Sequence, residues 1–380
     1  MPFFILFLVL SAVYFPVFAE EDQGKSVFTT AQQAAAEGRY YDVITLLSDA
    51  IEGGELDDTE TAIAYSNRGI AYSLLKRYGL AVQDLNEAIR LNPEHPLTLN
   101  HLGILAEHVE LDFARAAEWY QKAAALGYPA SQVNLANLYR DGRGVEQNDS
   151  LAAEYLILAV QQGYDVALVA LGEMYMDGAG VARNEQKGLE LLREGVARGV
   201  VTGNFYLGQA YERAAGVPRD YEKALAHYRE AAMQGHAPSQ GAMGYLYRKG
   251  LGVQKDFVEA VKWYSLASEQ GDVKAANRLA WLLATCPIDV VCDGNAALEY
   301  AGLAVRTERS ASNLDTLAAA YAWVGEFDHA LRVIQEILAQ DNLSDAARRK
   351  YQRRIDRYEN GIPFQIKETP QKCCLVFLNT

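Results

Sequence analysis

Three histidines, His95, His101 and His108, fall close together with Glu107 and Glu110, a set of side chains that in other settings binds zinc or moves protons. The spacing argues against both. His101 and His108 share a helix face but lie two turns apart, wider than the i, i+4 step by which one helix chelates a metal, so a surface or packing role is expected. The segments Asp141-Gly142-Arg143-Gly144 and Asp177-Gly178-Ala179-Gly180 resemble calcium or phosphate cradles on the surface. The same place is Arg213 and Lys249 further along, which an oxygen-ligand site does not tolerate, and no Lys-Ser/Thr follows as a phosphate loop requires. Cys286 and Cys292 flank a loop between two expected helices, where a bridge would pin the loop; bridged and unbridged forms both fit. Cys373 and Cys374 are adjacent near the end of the chain, and partnerless or intermolecular thiols are expected there ahead of a vicinal bridge. With no nucleophile elbow, no acid and base at a motif spacing and no cofactor fingerprint, the reading is of a non-enzyme: no catalytic residue, no metal and no cofactor is assigned.

The elements that must carry these residues repeat. Gly127, Gly163, Gly199, Gly235 and Gly271 are spaced by 36 residues, as are Tyr139, Tyr175, Tyr211 and Tyr247, and the pairs Gly144-Val145, Gly180-Val181, Gly216-Val217 and Gly252-Val253. Within one period, Leu168, Leu171, Gly172 and Tyr175 fall on one face of a first helix, and Asp177 to Val181 stops it with glycines that accept positive φ. A second helix follows through Gly188, Leu191, Leu192, Gly195 and Val196, closed by Gly199. Gly172, Gly208 and Gly244, with Ala136 in the same place, let the paired helices approach closely while a large residue of the second helix fills the adjoining space. One hairpin of helices ~21 Å long cannot bury its own apolar face, so neighbours must stack.

The ends and the charge bound the function. Met1 to Ala19 holds no charged side chain, runs through Phe3 to Leu10, breaks at Pro16 and ends in Val17-Phe18-Ala19 before Glu20-Glu21. This is the pattern of a cleavable export signal cut after Ala19, and a retained anchor is the alternative, since Lys and Arg are missing from its start. The formal charge of −14 disfavours a nucleic-acid partner, and no membrane insertion is expected once the signal is removed. Arg348, Arg349, Lys350, Arg353, Arg354 and Arg357 form a basic face on a C-terminal helix whose apolar side is Leu343, Ala347, Tyr351, Ile355 and Tyr358; the face is read as solvated.

The recurring Leu-Gly-x2-Tyr at Leu171 and Leu207, the Asp-Gly-x-Gly-Val loop, the Ala-x2-Tyr/Trp-x3-Ala of the second helix and the closing Gly resemble Sel-one-like repeats over residues 129–272. The third unit departs from the pattern at Ala214-Ala215-Gly216. Gly69, Tyr72, Ala81, Ala88 and Pro93 resemble the 34-residue tetratricopeptide repeat, as does Leu314 to Ala322 with Gly325, Phe327 and Ala330. Leu102-Gly103 with Phe113, Ala116, Tyr120 and Ala123 read as a transitional unit of that type. The expected organisation is a signal peptide at 1–19, tetratricopeptide-type repeats at 28–128, four 36-residue repeats at 129–272, C-terminal tetratricopeptide-type repeats at 273–340, a capping helix at 341–362 and a tail at 363–380. The resemblance implies an all-α, right-handed α-α superhelical solenoid and a bacterial source.

It also implies where partners sit, on the first helices that line the concave wall. Carried over unit by unit, those positions are Val133, Asn137 and Arg140; Val166, Val169, Glu173 and Met176; Phe205, Gln209 and Glu212; and Tyr245 and Arg248. The expected function is a scaffold for proteins or peptides in the periplasm or outside the cell, with apolar anchors giving affinity and a polar rim giving register. Burial of Val169 and Phe205 against the next unit is the competing expectation. A cell-wall or carbohydrate binder is the alternative function. A hydrolase of the β-lactamase-like repeat type is a further one, and no Ser-x-x-Lys motif is assigned to carry it.

Overall fold

A computed structural model describes residues 23–285, 291–340 and 343–365, and all regular structure among them is helical. The expected leader Met1–Ala19 with its expected cleavage point, and Cys286, Cys373 and Cys374, lie outside the described residues. No helix among the described residues is long and apolar enough to cross a membrane.

The chain divides between Tyr206 and Leu207 into two compact units. The first holds α1 (Gln23–Ala36), α2 (Tyr40–Gly53), α3 (Asp58–Leu74), α4 (Tyr78–Leu91) and α5 (Pro96–Leu105), which runs on into a π turn, Ala106–Glu110. It continues with α6 (Phe113–Ala125), α7 (Pro129–Asp141), α8 (Asp149–Gln161), α9 (Asp165–Asp177) and α10 (Glu185–Ala197). The boundary falls inside α11 (Thr202–Arg213). The second unit holds α12 (Tyr221–Met233), α13 (Ala237–Lys249), α14 (Phe257–Glu269), α15 (Val273–Thr285), α16 (Gly294–Thr307), α17 (Ala311–Trp323), α18 (Phe327–Leu338) and α19 (Asp345–Glu359). In each unit the helices pack pairwise in chain order, α3 on α4, α7 on α8 and α9 on α10 in the first, α13 on α14, α15 on α16 and α17 on α18 in the second. This is the all-α class of stacked hairpins that the 36-residue period implies.

The hairpins close on a missing side chain. A Cβ at Gly103 would stand 2.5 Å from the Tyr120 ring, one at Gly208 2.7 Å from Tyr228, and one at Gly244 2.6 Å from Tyr264. These three tyrosines are among the largest fully buried side chains, so the bare backbone of the first helix is the wall against which each ring packs. In the four 36-residue repeats the second helix then starts on a side-chain cap. Asn148, Asn184, Asp220 and Asp256 accept from Leu151, Lys187, Lys223 and Glu259 amides at 3.0 Å each. The amides of those four capping residues donate back to the carbonyls of Tyr139, Tyr175, Tyr211 and Tyr247, at 2.8 to 3.1 Å, which fixes the loop length.

The glycine loops are moulded on the preceding hairpin. A side chain at Gly144 would strike the backbone of Phe113 at the start of α6, at Gly180 that of Asp149 at the start of α8, and at Gly252 that of Tyr221 at the start of α12. The irregular loop of the third period keeps the same shape by another route. Ala214 takes φ 61°, matching Gly142, Gly178 and Gly250 at 65°, 74° and 70° in the corresponding places.

Candidate partner-binding site

The twelve positions assigned to a partner separate into three kinds. Val133 and Val169 are buried, at 6% and 3% exposure, so they do not belong to an open wall. Val169 fills space left by two glycines, since Cβ atoms at Gly195 and Gly203 would lie 2.7 and 3.2 Å from its methyl group; Val133 joins the core between α7 and α9. Met176 is half-buried with its sulfur and Cγ laid over Gly188.

A second kind is occupied within the chain. Arg140 donates to Glu173 at 3.0 Å. Glu173 also accepts from Tyr206, whose phenol is held well above its usual range first by burial and then by that carboxylate. Glu212 accepts from Tyr228 at 2.6 Å, and burial followed by this hydrogen bond pushes the Tyr228 phenol far up. Phe205 belongs only in part to this kind: it meets Tyr206 with ring centroids 5.3 Å apart, yet stays half-buried and not enclosed.

The third kind is left open to a ligand. Val166 is 40% exposed, and Asn137 and Gln209 are half-buried. Arg248, with Tyr245 beside it, belongs to a cleft of about 300 Å³ in the second unit, lined by Arg248, Asn277, Arg278, Trp281, Asp315 and Lys350 among others. Its side chains come from α13, α15, α17 and α19. The guanidinium carbons of Arg248 and Arg278 lie 5.8 and 5.7 Å from the centre of the Tyr245 ring. Neither arginine has a carboxylate partner among the described residues, and Arg248 Nε and Asn277 Oδ1 are shut from solvent without a hydrogen-bond partner. At the far wall Asp315, 3% exposed, accepts from Lys350 Nζ at 2.7 Å and faces Arg354 Nε at 3.3 Å in an ion pair without a hydrogen bond.

Repeat register explains why this place differs. Arg140 and Arg248 occupy the same position three periods apart, and the residue corresponding to Glu173, the acid that holds Arg140, is Trp281. An aromatic surface thus replaces the carboxylate. Trp281 is backed by the Arg354 guanidinium at 5.2 Å and by Phe364 with ring centroids 5.7 Å apart.

The basic face of α19 is correspondingly less solvated than its sequence implies. Arg349 and Arg353 are exposed, but Arg354 is only 4% exposed and lies 3.3 Å from the centre of the Phe364 ring. Arg348 donates to the carbonyls of Leu338 and Gln340, which the end of α18 leaves unpaired.

The remaining chemistry-bearing residues are structural. No group of three His, Cys, Asp or Glu among the described residues is placed to hold a metal ion. His95 Nδ1 lies 2.6 Å from Thr98, which donates to Ser66. Buried Glu107, on the π turn, accepts from Tyr120 at 3.0 Å and faces His108 at 3.8 Å and Arg143 at 3.5 Å. Contrary to the expectation that no such motif is present, Ser73 and Lys76 have the Ser-x-x-Lys spacing of an acyl-transfer pair. They stand at the exit of α3, Lys76 exposed at φ 59°, and not on one buried helical turn as that chemistry requires. Cys292 is disulfide-bonded, and its expected partner Cys286 is outside the described residues.

The Sel1 repeat family matches residues 101–128, 129–164, 165–200, 201–236 and 237–272, and the tetratricopeptide repeat family matches residues 62–95. The Sel1 match thus begins at 101, one unit before the 129 boundary drawn from the exact period. The chain is similar to the heat shock protein STI1 of Saccharomyces cerevisiae, 34% identical over 107 residues covering 28% of this chain and 16% of the yeast protein. It is similar to the probable UDP-N-acetylglucosamine–peptide N-acetylglucosaminyltransferase SPINDLY of Arabidopsis thaliana, 32% identical over 101 residues, 27% of this chain and 10% of that one. The chain therefore spans only a small part of either relative. Among solved structures, a Sel1 repeat protein from Oxalobacter formigenes is 26% identical with a TM-score of 0.54, over 64% of this chain and 100% of that one. A protective antigen of uropathogenic Escherichia coli with an SLR fold is 23% identical with a TM-score of 0.51, over 88% of this chain and 76% of that one, and shares the fold. Repeat proteins of this kind bind proteins and are typically non-catalytic scaffolds. Residues 101–272 are thus a run of five Sel1 repeats, with a tetratricopeptide repeat before them at residues 62–95.

Proposed function

We propose that the chain is a non-enzymatic scaffold, exported to the bacterial envelope, that holds protein or peptide partners along the first helices of its repeats. The observation that carries the reading is the partial exposure of apolar side chains on those helices. Val166 on α9 is 40% exposed, and Phe205 on α11 and Tyr245 on α13 are half-buried between polar neighbours. Such apolar positions supply affinity to a bound segment, and the polar ones fix its register. The uncharged leader ending at Ala19 supports export.

Two measurements test the halves of this reading. Capture of envelope proteins on the immobilised mature chain is expected to fall when Phe205 and Tyr245 become Asp in a variant that keeps its helical circular dichroism; undiminished capture rejects the first-helix surface. Fractionation with N-terminal sequencing is expected to find a mature protein beginning at Glu20 in the periplasm or medium. A cytoplasmic chain that keeps its leader rejects export.

A further inference from the structure

We propose that the cleft between α13, α15, α17 and α19 binds a carboxylate-bearing segment of an acidic partner protein, with Arg248 and Arg278 holding the carboxylate and Trp281 receiving a neighbouring aromatic side chain. The proposal rests on the scaffold reading and names the chemistry of the partner.

Charge is the first argument. The protein is acidic overall, at −14, yet Arg248, Arg278 and Lys350 converge on this cleft against one carboxylate, Asp315. Asp315 is already engaged by Lys350 and by the buried Arg354, so it neutralises neither arginine. Two guanidinium groups on one tyrosine ring repel each other, and an anion between them relieves that repulsion.

Unmet hydrogen bonding is the second. Arg248 and Asn277 both line the cleft, where Asn277 Oδ1 and Arg248 Nε find no partner among the described residues, so a ligand that offers an acceptor to the guanidinium and a donor to the amide adds bonds the chain leaves out. A peptide does so, since its carboxylate accepts from arginine and its backbone amide donates to asparagine. The third argument is internal precedent: at the same position of an earlier repeat the chain supplies its own acid, Glu173 on Arg140, and here it supplies Trp281 in that place. A cavity of about 300 Å³ is in the range of a site for a small ligand or a few side chains. A long polyanion such as nucleic acid would meet the net negative field of the chain.

The test is titration of the mature protein with the acetylated, amidated peptide Asp-Glu-Phe-Asp-Glu and with its uncharged counterpart Asn-Gln-Phe-Asn-Gln, followed by calorimetry and by tryptophan emission. The acidic peptide is expected to bind at least about tenfold more tightly, and to weaken as salt is raised. Arg248→Gln with Arg278→Gln is expected to weaken it about tenfold or more, and Arg278→Gln alone, a change at an exposed position, by several fold. Arg349→Gln with Arg353→Gln removes the same charge from the exposed face of α19 and is expected to change binding less than about twofold. Trp281→Phe is expected to abolish the emission change. Equal binding of the two peptides, or an equal loss in the α19 variant, overturns the proposal. Envelope-protein capture that survives Arg248→Gln with Arg278→Gln overturns the cleft and leaves the scaffold standing. Failure of the wild-type chain to capture any protein while it binds the acidic peptide overturns the scaffold and leaves the cleft.

Discussion

Arg140 and Glu173 meet at 3.0 Å although 33 residues separate them, so successive first helices of the first unit are joined by an ion pair that also gathers the phenol of Tyr206. The two side chains are 33% and 27% exposed, which places the pair between surface and core. In a double-mutant cycle with Arg140→Ala and Glu173→Ala, followed by urea unfolding, the coupling is expected to be about 0.5–1 kcal/mol. A coupling indistinguishable from zero would mean that the contact is not held in solution.

The glycine walls predict a rank order within one helix. Gly244→Ala on α13 would set a methyl 2.6 Å from the fully buried Tyr264 ring and is expected to destabilise the protein by about 2 kcal/mol. Gly241→Ala on the same helix meets Asp272 Oδ2 at 3.4 Å and Ala275 Cβ at 3.8 Å, both ordinary contacts, and is expected to be neutral or to stabilise by up to ~1 kcal/mol through helix propensity. Thermal unfolding of the two variants decides it, and the reverse order would refute the packing described for the hairpin.

Ala214 offers a gain. Its φ of 61° costs an alanine about 1–2 kcal/mol, part of which glycine recovers at the expense of a more flexible unfolded chain. Ala214→Gly is therefore expected to raise stability by about 0.5–1 kcal/mol, seen as a higher urea midpoint with an unchanged slope.

Acid should weaken the fold before the carboxylates titrate. Burial lowers both His101 and His236 to about 4, and lowers His95 as well. The unfolded chain takes up a proton on each near pH 6.5 while the folded chain resists until about pH 4, so this stability is complete above ~6.5 and is lost as pH falls through that window. Urea midpoints should drop between pH 7 and pH 5 by the equivalent of about 1–2 kcal/mol for each of the two histidines. His236→Asn, which leaves a good capping residue at the start of α13, should shrink the drop; a pH-independent midpoint would show that these rings are hydrated.

The hairpins, their loops and the small residues between helices were legible because each is dictated locally and restated every 36 residues, as Gly172, Gly208 and Gly244 show. Exposure was not, because it depends on what the neighbouring helix lacks. Val169 and Val166 look alike in sequence, yet only the first faces the gaps at Gly195 and Gly203. The cleft was half visible: Arg248 follows from the repeat and Trp281 keeps its register one helix past residue 272, whereas Lys350 and Asp315 reach the cleft from helices that no 36-residue step announces. The charge run of α19 likewise conceals Arg354, whose partners Phe364 and Asp315 no local pattern announces.

The fit of each glycine loop onto the helix start before it recurs at Gly144, Gly180 and Gly252 with the same backbone contact. Excising or duplicating one whole period would therefore rejoin matching surfaces. Unequal recombination between the repeated stretches of its gene could lengthen or shorten this protein without having to invent a new junction.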